Sequence, residues 1–465
     1  MEHRNRRTFR MGGLRLVTLF VMSMTTSLAA SERQLTSAPK GHVLTNANVW
    51  SADSQWIVYD TRTRDDQFAG TTIERVNVST GAVQVLYTAR NGAACGVVTA
   101  HPRDARVIFI LGPEHPTPEW SYGISRRQGI MVDVTDTHFV HPLDAAADAP
   151  PFVPGALRGG SHVHIFSHDG ERVSFTYDDE VLARLGPEAA DRHDINQRNV
   201  GVAVPAGPVV VGGSHPRNHG GDWFSVLVTR TVTRPRPGSD EISRACEEGW
   251  VGNEGYLRPD DTRQRYALAF QGTVTSLQGT SHAEVFLVAL PEDLTVPGEA
   301  GPLEGTRLRR PAPPLGTRQR RLTHTDDRRF PGVVAAPRHW LKSSPDGSRI
   351  AFLMKDDRGV VQLWTISPNG GTPCQLTHNI HDIASAFTWS PDGRWIAHVM
   401  DRSVCITNSD TGETRRLTEP AREAAHAPRP FACVFSPDGR KIAYTRNVPG
   451  EGVGHDQIFV VSLPE

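Results

Sequence analysis

Ser344-Pro345-Asp346-Gly347 followed by Arg349-Ile350-Ala351-Phe352, Ser390-Pro391-Asp392-Gly393 followed by Trp395-Ile396-Ala397-His398, and Ser436-Pro437-Asp438-Gly439 followed by Lys441-Ile442-Ala443-Tyr444 are near copies, 46 residues apart at each step. Each copy is an apolar run, a turn whose backbone dihedrals Pro and Gly favour, and a second run with strand alternation. The unit is a β-hairpin. A period in the forties with several short strands per unit predicts a propeller blade, because one four-stranded blade cannot bury both faces and must stack on neighbours around an axis.

Working upstream, weaker copies stand at Ser51-Ala52-Asp53-Ser54, His101-Pro102-Arg103-Asp104 and Ser167-His168-Asp169-Gly170, each followed by an apolar run. A second signature, Arg321-Leu322-Thr323, Gln375-Leu376-Thr377 and Arg416-Leu417-Thr418, marks outermost strands. The same tripeptide, Gln34-Leu35-Thr36, precedes any complete blade, while the last blade stops after the run Gln457 to Leu463. The two ends are therefore expected to pair and close the ring, which removes exposed sheet edges and makes residues 31–465 one domain.

Between Ser167 and Arg321 the regularity is lost. The runs 200–204 and 209–212 are assigned to a third blade, and 223–232, 266–270 and 285–290 to a fourth. That fourth blade carries insertions at 233–263 and 291–315, the first with a short helix expected from Asp240 to Glu248, whose carboxylates would face solvent. The fold class is all-β, a single propeller of seven blades, with six or eight left open.

Gly 42 and Pro 34 supply the turns, and 38% hydrophobic with 22% charged residues is ordinary for a globular chain. A net charge of −1 provides no field for nucleic acid or an anionic membrane, so neither partner is expected. Residues 1–30 combine Arg4, Arg6, Arg7 and Arg10, an apolar stretch from Leu14 to Leu28, and Ala29-Ala30. They read as a cleaved export signal, too short in its apolar run to be a stable span, with Arg6-Arg7 open to a twin-arginine route. The mature chain is expected in the periplasm as a monomer. Cys95, Cys246, Cys374, Cys405 and Cys433 include no C-x-x-C pair, so buried small cysteines are expected, Cys405 with Cys433 being the pair placed to bridge if any does.

The S-P-D-G-x-x-I-A hairpins and the strand pairs such as Leu363 to Thr377 resemble the TolB-like propeller superfamily over nearly the whole mature chain. Blocks such as Leu157 to His164, Pro237 to Ile242, Pro337-Arg338-His339-Trp340 and Gln375 to Asn379 resemble an uncharacterised bacterial family within it. The superfamily includes periplasmic binding scaffolds, propellers attached to serine peptidases, and oligogalacturonate lyases. A peptidase domain would need a G-x-S-x-G elbow, which the sequence lacks.

His162-Val163-His164 is the sharpest chemical signal, since residues two apart on a regular strand share a face and reach one metal together. The resemblance to oligogalacturonate lyases implies a manganese site with an H-x-H pair before such a turn. The family's glutamine, three residues ahead of the pair, is here Gly159; other donors on the rim loops are His101, His215, His219, His339, His381 and Asp382, of which His215 and His219 are taken as the further metal ligands. With a divalent ion, His339 would be the base and Arg158 or Arg338 the enolate stabiliser of a β-elimination. The competing reading packs His162 and His164 between blades. Arg338-His339-Trp340 offers a cationic, aromatic surface for a sugar or an acidic peptide, or else a Trp packed under a loop. Two functions follow: an envelope scaffold binding a protein or a small acidic saccharide, and a metal-dependent lyase for acidic oligosaccharides. Convergence of the histidines decides between them.

Overall fold

The computed structural model describes residues 1–2 and 31–463 except 65, 189–191, 214, 432 and 451–453, so the expected export signal and its arginine pair lie outside the described residues. Seven blade sheets follow one another along the chain, six four-stranded and one three-stranded, with two further two-stranded ribbons and a single short α-helix, Glu180–Leu185, among the described residues. Blade 1 holds Trp56–Asp60, Thr72–Asn77 and Val83–Thr88, and its innermost segment is tied on by the bridges Val43 to Asp60 and Trp50 to Ile57. From blade 2 to blade 6 the inner strands are Cys95–Ala100, Gly159–Phe166, Ala245–Trp250, Lys342–Ser343 and Thr388–Trp389. Blade 7 begins at Val434–Phe435, and its outer strand is Glu32–Gln34, antiparallel to the last strand with Gln34 opposite Phe459. The ring closes as the repeated tripeptide predicts.

Both signatures have a physical role. In five turns the Ser hydroxyl donates to the Asp two residues on at 2.5 Å, at Ser51, Ser167, Ser344, Ser390 and Ser436. The same oxygen accepts the N–H that opens the next strand, as from Trp395 at 3.0 Å, so the turn satisfies its own backbone. His101 takes the serine's place in blade 2, its Nδ1 accepting from Asp104 N–H at 2.8 Å. In the second signature the Thr hydroxyl sits just past the outer strand and accepts a third-strand N–H: Val285 to Thr323, Leu363 to Thr377, Val404 to Thr418 and Ile458 to Thr36, all at 2.9–3.0 Å.

The irregular middle differs from expectation. The run 209–212 forms no strand; Val209 bridges Gly221 and Val210 is 81% exposed. The outer strand of blade 3 is instead Phe224–Leu227, paired with Val204 through Gly201. No helix forms over 240–248: Ala245–Trp250 is the inner strand of blade 4, with Glu247 and Glu248 buried. The insertion at 291–315 is pinned to blade 3, where Arg309 and Arg310 reach Asp194 at 3.2 and 3.4 Å, and its Leu294 and Leu303 join the apolar core. All five cysteines are free thiols, and Cys374 is exposed rather than buried.

Candidate functional site

The Ser-x-Asp turns occupy one face of the disc, the hairpin face. The loops from second to third strands and from each outer strand to the next blade occupy the other, the loop face. Inner strands line the axis between them. In blades 2, 3 and 4 these strands carry a β-bulge, between Gly96 and Thr99, His162 and Ile165, and Cys246 and Gly249. Each bulge holds a non-glycine residue at positive φ: Val97 at 60°, Val163 at 54° and Glu247 at 53°. For a β-branched valine this is a strained conformation, and bulges of this kind re-aim side chains. Val97 and Val163 turn into an apolar cluster with Phe68 and Trp340.

The bulge at Val163 undoes the same-face argument for His162 and His164. His164 is fully buried, its Nε2 3.0 Å from Ser161 Oγ, which itself donates to Asp144 at 2.6 Å. His162 lies 3.4 Å from Thr176 Oγ1, and burial, then the charges of Arg127, Arg338 and Arg198, hold it well below the usual imidazole range. The positive charges that disfavour a proton on His162 disfavour a metal cation there in the same way. His215 and His219 sit on the loop before blade 3's outer strand, His215 accepting from Arg217 N–H at 3.3 Å and His219 facing the Gly220 carbonyl at 2.9 Å. None of the four belongs to a group of three or more ligand-type residues within 4.8 Å of one another among the described residues. These histidines do not fit the manganese site that the resemblance implies.

One such group does form, His282, Glu284 and Asp326. Arg321 already lies 3.0 Å from both carboxylates and is itself buried, so the cluster is a charge-balanced strut of blade 4.

Of the expected catalytic residues, His339 is fully buried with both nitrogens engaged: Nδ1 donates to the Pro337 carbonyl at 2.9 Å and Nε2 accepts from Leu353 N–H at 3.2 Å. Burial lowers it to about 4, and it has no lone pair left for a substrate proton. Arg158 is buried against Asp179 at 2.8 Å and the Thr306 carbonyl, a strut under the 291–315 insertion. Arg338 alone is available: half-exposed, 4.6 Å over the Trp340 ring, and bonded only through Nε to Glu247 at 2.9 Å.

Around Arg338 the loop face gathers a cationic mouth. Arg127 donates to Tyr122 at 2.8 Å while its buried Nη1 has no partner, and Arg198 is held by Asp178 at 3.1 Å. Tyr122, exposed, stacks on Phe68 at 4.6 Å. Beneath them Glu248 is wholly buried with neither oxygen hydrogen-bonded, and burial pushes it up to about 8, so at neutral pH it does not offset the arginines. Sequence reading missed Glu248 by ending the insertion too late. Aligning Gly249-Trp250 with Ile165-Phe166 and Thr99-Ala100 would have placed an inner strand there.

The architecture and its closure define a seven-bladed β-propeller. Over 414 residues, 89% of this chain and 94% of the relative, it is 49% identical to the uncharacterized protein YidR of Escherichia coli strain K12, and the chain belongs to that protein's family. The family described as protein of unknown function (DUF3748) matches residues 94–219. Among solved structures the chain is similar to an oligogalacturonate lyase in complex with manganese, at 12% identity and TM-score 0.54 over 94% of this chain and 95% of that one. It is similar also to the oligogalacturonate lyase of Vibrio parahaemolyticus, at 11% identity and TM-score 0.51 over 95% of each chain. These likenesses are of fold.

Proposed function

We propose that the protein is an exported propeller that binds an acidic ligand of the cell envelope at its loop-face mouth. The supporting observation is the meeting of Arg127, Arg198 and Arg338 beside His162 and the unpartnered Glu248, with guanidinium donors left unspent. Such donors grip carboxylates in paired geometry, and Tyr122 and Trp340 supply flat faces for a sugar ring or an apolar side chain. The export signal expected at 1–30 is consistent with an envelope address. No helix of the described residues is long and apolar enough to cross a membrane.

Isothermal titration of the mature chain with trigalacturonate and with neutral maltotriose tests the reading. Binding of the acidic trimer alone, lost in Arg127→Ala/Arg338→Ala, is expected; equal binding of both trimers, or none of either, sinks an acidic-saccharide ligand. A second reading, β-elimination on acidic oligosaccharides, draws on the same pairing of arginine with aromatic faces. It is routed through neither a metal nor His339. The same titration, watched for the ultraviolet absorbance of an unsaturated product, separates catalysis from binding.

A further inference from the structure

On the hairpin face the axis opens into a cavity of about 330 Å³ with side chains from all seven blades in its wall. The last residue of each inner strand forms its collar: Trp50, Phe166, Trp250, Trp389 and Phe435 are the aromatic members, with a proline from each of four turns outside them. The three indoles are spent on the ring itself. Trp50 Nε1 donates to the Val434 carbonyl at 2.9 Å, Trp250 to Ile165 at 2.9 Å and Trp389 to Lys342 at 3.1 Å, each stitching its blade to the preceding one. What the tryptophans present to the cavity is therefore apolar.

The wall also holds polar side chains, among them Asn48, Asn253, Thr388 and Ser436, and one charged one. Lys342 lines the cavity, and its ammonium makes no hydrogen bond or ion pair among the described residues. The charge it faces is Glu248, which lies behind it toward Glu247, Arg198 and Arg338 and forms no ion pair with it. Burial lowers the lysine and raises the glutamic acid, so burial disfavours the charged form of each. An ammonium partly removed from water and without an ion-pair partner is costly.

We propose that this cavity is a binding site for a small organic acid, its apolar ring or chain against the tryptophan collar and its carboxylate on the Lys342 ammonium. A single formal charge in the wall matches a monoanion, and Lys342 is the one lysine, arginine or carboxylate among the lining residues. The volume sits at the small end of ligand pockets, which suits an acid of a dozen or so heavy atoms, an order-of-magnitude figure. The site lies on the opposite face from the arginine mouth and stands independently of it.

Phenylacetate and its neutral isostere phenylacetamide are suitable probes for titration of the mature chain. The acid is expected to bind at least about tenfold more tightly than the amide, and Lys342→Met to bring the acid down to the amide's affinity, while Lys342→Arg keeps the preference. Near pH 8 the acid should bind with proton uptake, read from titrations in buffers of different ionisation enthalpy, because a carboxylate partner raises the lysine pKa. The proposal is overturned if acid and amide bind alike, if the acid fails to bind at millimolar concentration, or if its affinity survives Lys342→Met. Loss of acid binding in Arg127→Ala with Lys342→Met unaffected would move the site to the loop face and overturn it equally.

Discussion

The Thr36 hydroxyl donates to Gln457 Oε1 at 2.8 Å, joining residues 421 apart, and accepts Ile458 N–H at 2.9 Å. The same pair of bonds recurs within blade 5, where Thr377 donates to Gln362 at 2.7 Å and accepts from Leu363 at 2.9 Å. The joint between the chain's two ends thus uses the contact that fastens an outer strand elsewhere in the ring. Thr36→Val should leave Gln457 and an N–H unsatisfied in a buried site, at about 1–3 kcal/mol. Urea unfolding should show that loss, with Arg33→Ala, on the exposed outer strand, near zero. An unchanged midpoint for Thr36→Val would mean that the strand pairing alone closes the ring.

The repeating features were legible because each unit carries its own turn and cap: Ser436-Pro437-Asp438-Gly439 announces a hairpin, and Gln34-Leu35-Thr36 announces an outer strand lacking a blade. Val209-Val210-Val211 reads as a strand by composition, yet Val204 pairs with Phe224 across the loop and leaves the run only the single bridge from Val209 to Gly221. The histidine pair failed for a different reason. Face assignment assumes an unbroken pleat, and a one-residue bulge at Val163 shifts every later side chain. Of the candidate site, Arg338 and Trp340 were visible as an exposed cation beside an aromatic, whereas Glu248 depended on a strand boundary that local pattern placed on a helix.

His339 and His398 are both fully buried, and burial lowers each from 6.5 to about 4. A depressed imidazole favours the neutral folded form, so its contribution is complete above pH 6.5 and is lost as pH falls toward 4, by up to about 3 kcal/mol each. Glu248 runs the other way: raised from 4.5 to about 8, it contributes fully below pH 4.5 and loses that contribution as pH rises through 8. Stability should therefore fall on both flanks. His398→Gln should flatten the acid limb and Glu248→Gln the alkaline limb in urea midpoints measured across that range; parallel curves for wild type and variants would refute the assignment.

Metal retention is expected to be independent of the histidine pair. His164 is locked into Ser161 and Asp144, and His162 stands among three arginines, so elemental analysis of protein purified without chelator should give the same manganese content for wild type and His162→Ala/His164→Ala. The double variant should nonetheless be less stable by roughly 2–4 kcal/mol, because His164→Ala leaves the buried Ser161 and Asp144 with an unfilled hydrogen bond and a cavity. Stoichiometric manganese lost only in the double variant would restore the metal site.

Among the five cysteines, Cys374 alone is exposed, on the outer strand of blade 5. Burial pushes the thiols of Cys95 and Cys405 up to about 12 and raises Cys246 and Cys433 as well, so these four lack both access and thiolate. A maleimide added to the native protein should modify one thiol, abolished in Cys374→Ser, with the other four appearing only in denaturant. Cys405 and Cys433 are unbonded, so denatured, unreduced protein should still yield all five thiols. Three thiols instead would show that the two bridge after export.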